Sequence, residues 1–223
     1  MKRHSLPLIV LASALAGAAA PEKVYKLEAL KEAVPAEIGE KIREAVAQEG
    51  VRILDPKGKP YVDVWLRKSI PTVDPKDEQG VKFNQLAEGT LLGVVRFHQS
   101  GSDYKSNPFP AGIYTMRNAM QPRDGDHLGV SETRDFALLS PPKADASLDP
   151  IASKDLIKLS TQVSGISHPT VLYLVKVMDE AKPPRLFHDE DHERWIVDCE
   201  TPASGKEKSI RFGLVIVGKG AEG

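Results

Sequence analysis

The side chains best suited to hold a ligand lie in two polar segments of this 223-residue chain. Asp124, Asp126 and His127 stand close together in one segment, and His168 stands in the other. Imidazole nitrogens and carboxylate oxygens are common ligands of divalent metals in proteins. One hypothesis is therefore a metal site in which His127, His168 and Asp126 hold the ion, while Asp124 orients a ligand or serves as a base.

Each of these residues also has a purely structural explanation, so both readings stay open. Asp124-Gly125 is a common turn dipeptide, and Asp126 can cap backbone amides. A histidine that precedes Pro169 can simply hold its loop by a hydrogen bond. Arg134 and Asp135 complete the set of candidate ligand-binding residues, and they could instead form an ion pair at the base of the first loop.

The familiar catalytic patterns are incomplete in this sequence. Gly165–Pro169 carries half of a nucleophile elbow and follows a helical run instead of leading into one. His188–His192 has the histidine spacing of a zinc protease, but Asp189 stands where the glutamate is needed. The single cysteine, Cys199, excludes a Cys/His zinc site, and His98 ends a strand-like run and is expected at the surface. These patterns favour binding over catalysis.

The lone cysteine predicts a fold without an internal disulfide. In the run from Trp195 to Cys199, a period of two places Trp195, Val197 and Cys199 on one face of a strand. We therefore expect Cys199 to be a buried thiol that packs like a small apolar side chain.

Two segments have the pattern of a helix. In Pro35–Gly50, apolar β-branched residues recur at four-residue spacing, with proline at the start and glycine at the stop. The second helix is expected over Ser153–Ser164, capped by Ser153 and ended by Gly165.

The rest of the chain is rich in short strand-like runs separated by turn residues. These runs are Val51–Asp55, Tyr61–Arg67, Thr90–His98, Ile113–Ala119, Arg134–Leu139, Thr170–Met178, Arg185–His188, Glu193–Glu200 and Ser209–Val217. Because strands and helices do not alternate regularly, the sequence predicts a mainly β protein. The expected fold is an antiparallel β-sandwich of the jelly-roll or immunoglobulin-like kind, with two accessory helices.

The N-terminus has the layout of a secretory signal peptide. Lys2, Arg3 and His4 precede the uncharged run Leu6–Ala20, which ends in small residues. That run is shorter than the roughly 20 residues needed to span a bilayer, although an N-terminal membrane anchor is the alternative. We predict a signal peptide over residues 1–20 and a single exported domain over 21–223, periplasmic or extracellular, without a transmembrane anchor after cleavage.

The composition is that of a globular protein, with 41% hydrophobic and 27% charged residues. It excludes a disordered chain and a coiled coil. Lys and Arg number 30 against 31 Asp and Glu. Because a nucleic-acid-binding protein usually carries a basic excess, no nucleic-acid partner is expected.

Several strings of the mature chain are distinctive in combination: Gly50–Asp55 with Asp63–Arg67, Asp103–Tyr104 with Pro110–Thr115, Gln121–Ser131 with Arg134–Phe136, and Ser164–Pro169. Together they resemble a family of uncharacterised exported bacterial proteins, over a stretch from about Pro35 to Gly218. The family has no assigned activity. The resemblance therefore implies export and a single-unit fold, and it implies no mechanism.

Three functions follow from these patterns. The first is a non-catalytic module of the cell envelope that binds a protein, a glycan or a small molecule. Tyr25, Tyr104 and Phe109 are the few candidates for exposed aromatic side chains, so a glycan is only weakly indicated. The second is a metal-binding protein or a metal-assisted hydrolase with a divalent ion as its cofactor. The third is a purely structural envelope protein.

Overall fold

The computed structural model of the chain describes residues 24–127, 129 and 131–220. The predicted signal peptide lies outside the described residues, and so does the side chain of Asp126. Within the described part, neither helix has the length and apolar composition needed to cross a bilayer.

The described residues form two α-helices, two single-turn 3-10 helices (Gly125–His127 and Glu190–His192) and thirteen strands. The α-helices are α1 (Glu40–Ala45) and α2 (Ser153–Ser164). The strands are β1 (Lys26–Leu30), β2 (Gly50–Leu54), β3 (Pro60–Leu66), β4 (Ile70–Pro71), β5 (Leu91–Phe97), β6 (Gly101–Ser102), β7 (Pro108–Phe109), β8 (Gly112–Met120), β9 (Asp135–Ser140), β10 (Val171–Val175), β11 (Arg185–Asp189), β12 (Arg194–Ser204) and β13 (Ser209–Val217).

Eleven of these strands belong to one sheet, in which ten follow one another in the order β1-β2-β3-β5-β8-β9-β10-β13-β12-β11 and β4 lies off this path beside β12. The sheet curls so far that β1 comes close to β11, and the Tyr25 ring packs 5.4 Å from the Trp195 ring. The strand β4 joins β12 in parallel, whereas the other pairs are antiparallel. β6 and β7 form a separate hairpin.

The predicted mainly β class with two helices is confirmed, but the sandwich is not. A sandwich needs two sheets that face each other, and here the strands follow one another in one continuous hydrogen-bonded order. The prediction of a purely antiparallel sheet is wrong at β4, because β4 pairs with β12 in parallel and makes the sheet mixed.

The curled sheet encloses the main hydrophobic core on its inner face. The outer face is covered in two places, each by one helix. Ile42 of α1 packs in a cluster with Trp65 and Val94, and Leu156 of α2 packs in a cluster with Phe136 and Leu138. The area of the outer face that α2 covers contains the candidate site.

The predicted elements mostly agree with the structure. Each of the nine expected strands is present, and α2 has the predicted bounds, followed by Gly165 in the left-handed conformation with φ 72°. The first helix is much shorter than the predicted Pro35–Gly50, because Val46 is extended and forms a bridge with Arg67. Ser153 does not cap α2. The N-cap position belongs to Ala152.

The prediction of a buried thiol is confirmed, because Cys199 is only 2% exposed. Burial, with a smaller contribution from Asp198, raises the pKa of the Cys199 thiol to about 12. A thiol reagent such as DTNB should therefore label the folded protein at least roughly a hundredfold more slowly than the protein unfolded in guanidinium chloride. Equal labelling rates would contradict the burial.

Candidate functional site

The two histidines singled out from the sequence line the same pocket. This pocket has a volume of about 240 Å³ and lies on the outer face of the sheet, beneath α2. It is lined by Glu88, Tyr104, Lys105, Ala119, Met120, Gln121, Pro122, His127, Phe136, Leu138, Ser153, Ile157, His168, Pro169 and Val171. The walls are therefore largely apolar, with a small number of polar groups among them.

The pocket floor follows from the alternation of side chains along two strands. Phe136 and Leu138 of β9 point to the outer face, and Ala119 of β8 lies directly opposite Phe136 in the sheet register. Because alanine fills so little space between these larger neighbours, the floor has a depression. Ile157, which is partly exposed on α2, forms one side of it.

The histidines reach the pocket from opposite ends of the strands. Val171 pairs with Leu138 and Tyr173 with Phe136, so β10 begins beside the end of β9. The segment that carries His168 is therefore at the other end of this strand pair from the loop that carries His127. The two loops therefore do not gather at one end of the sheet. The pocket spans the outer face between the two ends.

Each histidine is anchored through the same ring nitrogen. His168 Nδ1 lies 2.7 Å from the Pro169 carbonyl oxygen, and His127 Nδ1 contacts the Asp124 carboxylate. Carbonyl and carboxylate oxygens accept hydrogen bonds, so both Nδ1 atoms carry the proton. In the neutral imidazole, Nε2 is then a hydrogen-bond acceptor on each ring.

A carboxylate that the sequence did not single out belongs to the polar wall of the pocket. We use this name for the polar lining residues Glu88, Lys105, Gln121, His127, Ser153 and His168. Glu88 Oε1 accepts a hydrogen bond from the Ser153 hydroxyl at 2.9 Å and a longer one from the Met120 amide at 3.4 Å. Ser153 therefore fixes Glu88 at the start of α2 instead of capping the helix. A glutamate in a loop between strands gives no sequence signal that would separate it from ordinary surface residues.

Arg134 and Asp135 have other partners and support the loop that carries His127. Arg134 donates to Glu78 at 2.5 Å and to the Gln121 carbonyl at 2.7 Å. Asp135 accepts from the backbone amides of Lys82 and Phe83 at 2.8 and 3.0 Å. Burial raises the pKa of Asp135 despite these hydrogen bonds. Both residues bind the 78–83 segment, and neither lines the pocket.

The metal hypothesis gains no support from the described residues. Among them, no group of three or more His, Cys, Asp or Glu side chains is arranged to hold a metal ion. The third ligand of the predicted site, Asp126, has its side chain outside the described part of the structure.

A buried ionic group that the sequence did not predict lies on the outer face of β2, β3 and β5. Asp63 is fully buried and accepts hydrogen bonds from Arg52 at 2.7 Å, Arg96 at 2.8 Å and His98 at 2.8 Å. Glu32 bridges the same two arginines from the exposed side. His98 lies at the surface, as expected, and its ring is anchored to this carboxylate.

The same arrangement recurs on β11, β12 and β13. Asp198 is fully buried and lies 2.9 Å from Arg185 and 2.7 Å from Arg211. Asp179 bridges these two arginines from outside, as Glu32 does in the first group. Around both Asp63 and Asp198, carboxylates neutralise the charge of the arginine side chains. These ion pairs are therefore structural cross-links between strands.

Comparison of the chain with family models, curated proteins and solved structures gives no match. The fold and the pocket therefore define the class only broadly, as a mainly β protein whose curled, mixed sheet carries a small, largely apolar pocket on its outer face.

Proposed function

We propose that the protein is a non-catalytic binding module that holds a small, mostly apolar molecule in the pocket beneath α2. The observation that carries this proposal is the composition of the pocket wall, in which a few anchored polar groups stand among apolar side chains. Small-molecule sites in proteins typically have this composition.

The size of the pocket sets the size of the ligand. An apolar cavity of about 150 Å³ is large enough to bind benzene. A pocket of about 240 Å³ therefore suits a molecule with one or two rings, or a short branched chain. We do not expect a polysaccharide or a long lipid chain to be enclosed.

The hydrogen bonds around the pocket favour binding over catalysis. Asp124 and His127 form the orienting half of a catalytic triad, which also needs a nucleophile beside the imidazole. In the described part of the chain, the hydrogen bonds of the two rings run to the Asp124 carboxylate and the Pro169 carbonyl, and the Ser153 hydroxyl donates to Glu88. The N-terminal pattern supports the second part of the proposal, which is that the module acts at the cell envelope after export.

The proposal is tested by filling the pocket. We expect 1-naphthalenemethanol to bind the wild-type protein with a dissociation constant on the order of 10 µM to 1 mM, as is usual for a ligand of this size. Ala119→Phe places a ring in the depression beside Phe136 and should weaken binding at least roughly tenfold. Isothermal titration calorimetry measures both affinities.

Two further variants complete this test, one as an exposed control and one as a second change in the pocket. Ala181→Phe makes the same change at an exposed position and should bind the probe like the wild type. Ile157→Ala removes part of one pocket wall from a partly exposed site without threatening the fold, and should weaken binding about threefold to tenfold. Absence of binding to the wild type, or wild-type affinity in both pocket variants, would refute the proposal.

A further inference from the structure

We infer that the ligand presents a hydrogen-bond donor, best a primary amine, to the polar wall of this pocket. This inference rests on the proposed function and adds the chemical class of the ligand. It is carried by the direction of the hydrogen bonds that the wall already makes.

Both imidazole rings offer acceptors to a ligand. His168 uses its Nδ1 proton on the Pro169 carbonyl, and His127 uses its own on Asp124. While each ring is neutral, its Nε2 atom can accept a hydrogen bond from a ligand and cannot donate one. A ligand carboxylate would meet two lone pairs here, whereas an amine or a hydroxyl group would be matched.

Glu88 adds a negative charge to the same wall. Its Oε1 atom accepts from Ser153 and Met120, and an ionised carboxylate has acceptor capacity left on Oε2. Because the Ser153 hydroxyl donates its hydrogen bond to Glu88, its oxygen can act towards a ligand only as an acceptor. Glu88 is only partly exposed, so its charge is less screened than that of a fully exposed side chain.

The donors on the wall are fewer and less fixed. The Gln121 side chain lies 3.1 Å from the Ser131 hydroxyl, whose single proton is closer to the Thr133 carbonyl at 2.6 Å, so the Gln121 amide is a weakly fixed group. Lys105 lines the rim with an exposed side chain, whose charge is screened by solvent. The anchored groups therefore favour a cationic or neutral donor over an anion.

The inference is tested with three probes that share one ring system. These are 1-naphthylmethylamine, 1-naphthalenemethanol and 1-naphthaleneacetate, the anion of 1-naphthaleneacetic acid. Each is titrated calorimetrically into the wild-type protein in the same buffer. We expect the amine to bind tightest, the alcohol up to about tenfold more weakly, and the carboxylate at least roughly a hundredfold more weakly than the amine. A carboxylate that binds tighter than the amine would overturn the inference.

A conservative variant separates the charge from the shape of the pocket. Glu88→Gln keeps an acceptor for Ser153 and removes the charge, so the affinity for the amine should fall about tenfold while that for the alcohol stays unchanged. Lys105→Gln is the matched control and should leave the order of the three probes as it is.

The outcomes distinguish this inference from the proposed function. If all three probes bind equally and Ala119→Phe abolishes their binding, the pocket binds ligands but does not select a donor. In that case the inference is wrong and the proposed function stands. If no probe binds, both are wrong. An unchanged preference for the amine in Glu88→Gln would also overturn the inference.

Discussion

Replacing Arg117 by leucine should lower the free energy of unfolding by about 3–5 kcal/mol, because it leaves a carboxylate buried without its cation. Arg117 is fully buried in β8, and its Nε and Nη2 atoms donate to Asp145 at 2.7 Å. The remaining N–H groups donate to the carbonyls of Gly89, Ser147 and Asp149 at 2.7, 2.5 and 3.0 Å. All five donors of the guanidinium group are thus used.

These contacts fasten the segment between β9 and α2 to the sheet, so the loss should appear in the global unfolding transition. Urea denaturation followed by circular dichroism measures it. Arg123→Leu, at an exposed arginine, should change the free energy of unfolding by less than about 0.5 kcal/mol. In the double variant with Asp145→Leu, much of the stability should return, since apolar pairs often replace buried ion pairs at little cost. A loss below about 1 kcal/mol in Arg117→Leu would contradict the structural role of this group.

The sequence predicted strands well wherever alternation was regular. In β13, Ile210, Phe212, Leu214 and Ile216 all face the main core, as their spacing indicates. The strand β1, in contrast, escaped prediction. Its residues, Lys-Leu-Glu-Ala-Leu, are mostly good helix formers, and its pairing with β2 holds it extended.

The first helix shows how a pattern can identify core residues and still misjudge their conformation. Ile38, Ile42 and Val46 are each at most 1% exposed and belong to one cluster, as their four-residue spacing predicted. Yet only the middle of the segment is helical. The bridge between Val46 and Arg67 ends the helix, and this long-range contact leaves no local signal.

The candidate site was predicted in part. Loops rich in polar residues pointed to His127 and His168, which both line the pocket. The apolar floor and Glu88 could not be predicted, because they depend on which strands are neighbours. The ionic groups escaped for a related reason, since an aspartate within an alternating strand looks like a solvent-facing residue. Asp63 is instead buried between arginines of two adjoining strands.

The ionic group around Asp63 should make the stability of the protein depend on pH. Burial alone would raise the pKa of Asp63, but hydrogen bonds from Arg52, Arg96 and His98 outweigh it and hold the pKa below the ordinary value of an aspartate. A lowered pKa in the folded state means that the stabilisation is fully present above the unfolded-state value of about 3.9. It is lost as the pH falls through the folded-state pKa.

Asp63→Asn should therefore lower the free energy of unfolding by about 3 kcal/mol near neutral pH, since two partly buried guanidinium groups lose their shared counter-charge. In acid the wild-type carboxyl is itself protonated, so the difference between the two proteins should shrink towards zero below the folded-state pKa. Guanidinium chloride denaturation across a pH series measures this difference. Asp77→Asn, at an exposed aspartate, should match the wild type throughout. A gap between wild type and Asp63→Asn that stays constant into strong acid would show that the asparagine acts through altered packing, and that the charge of Asp63 does not stabilise the sheet.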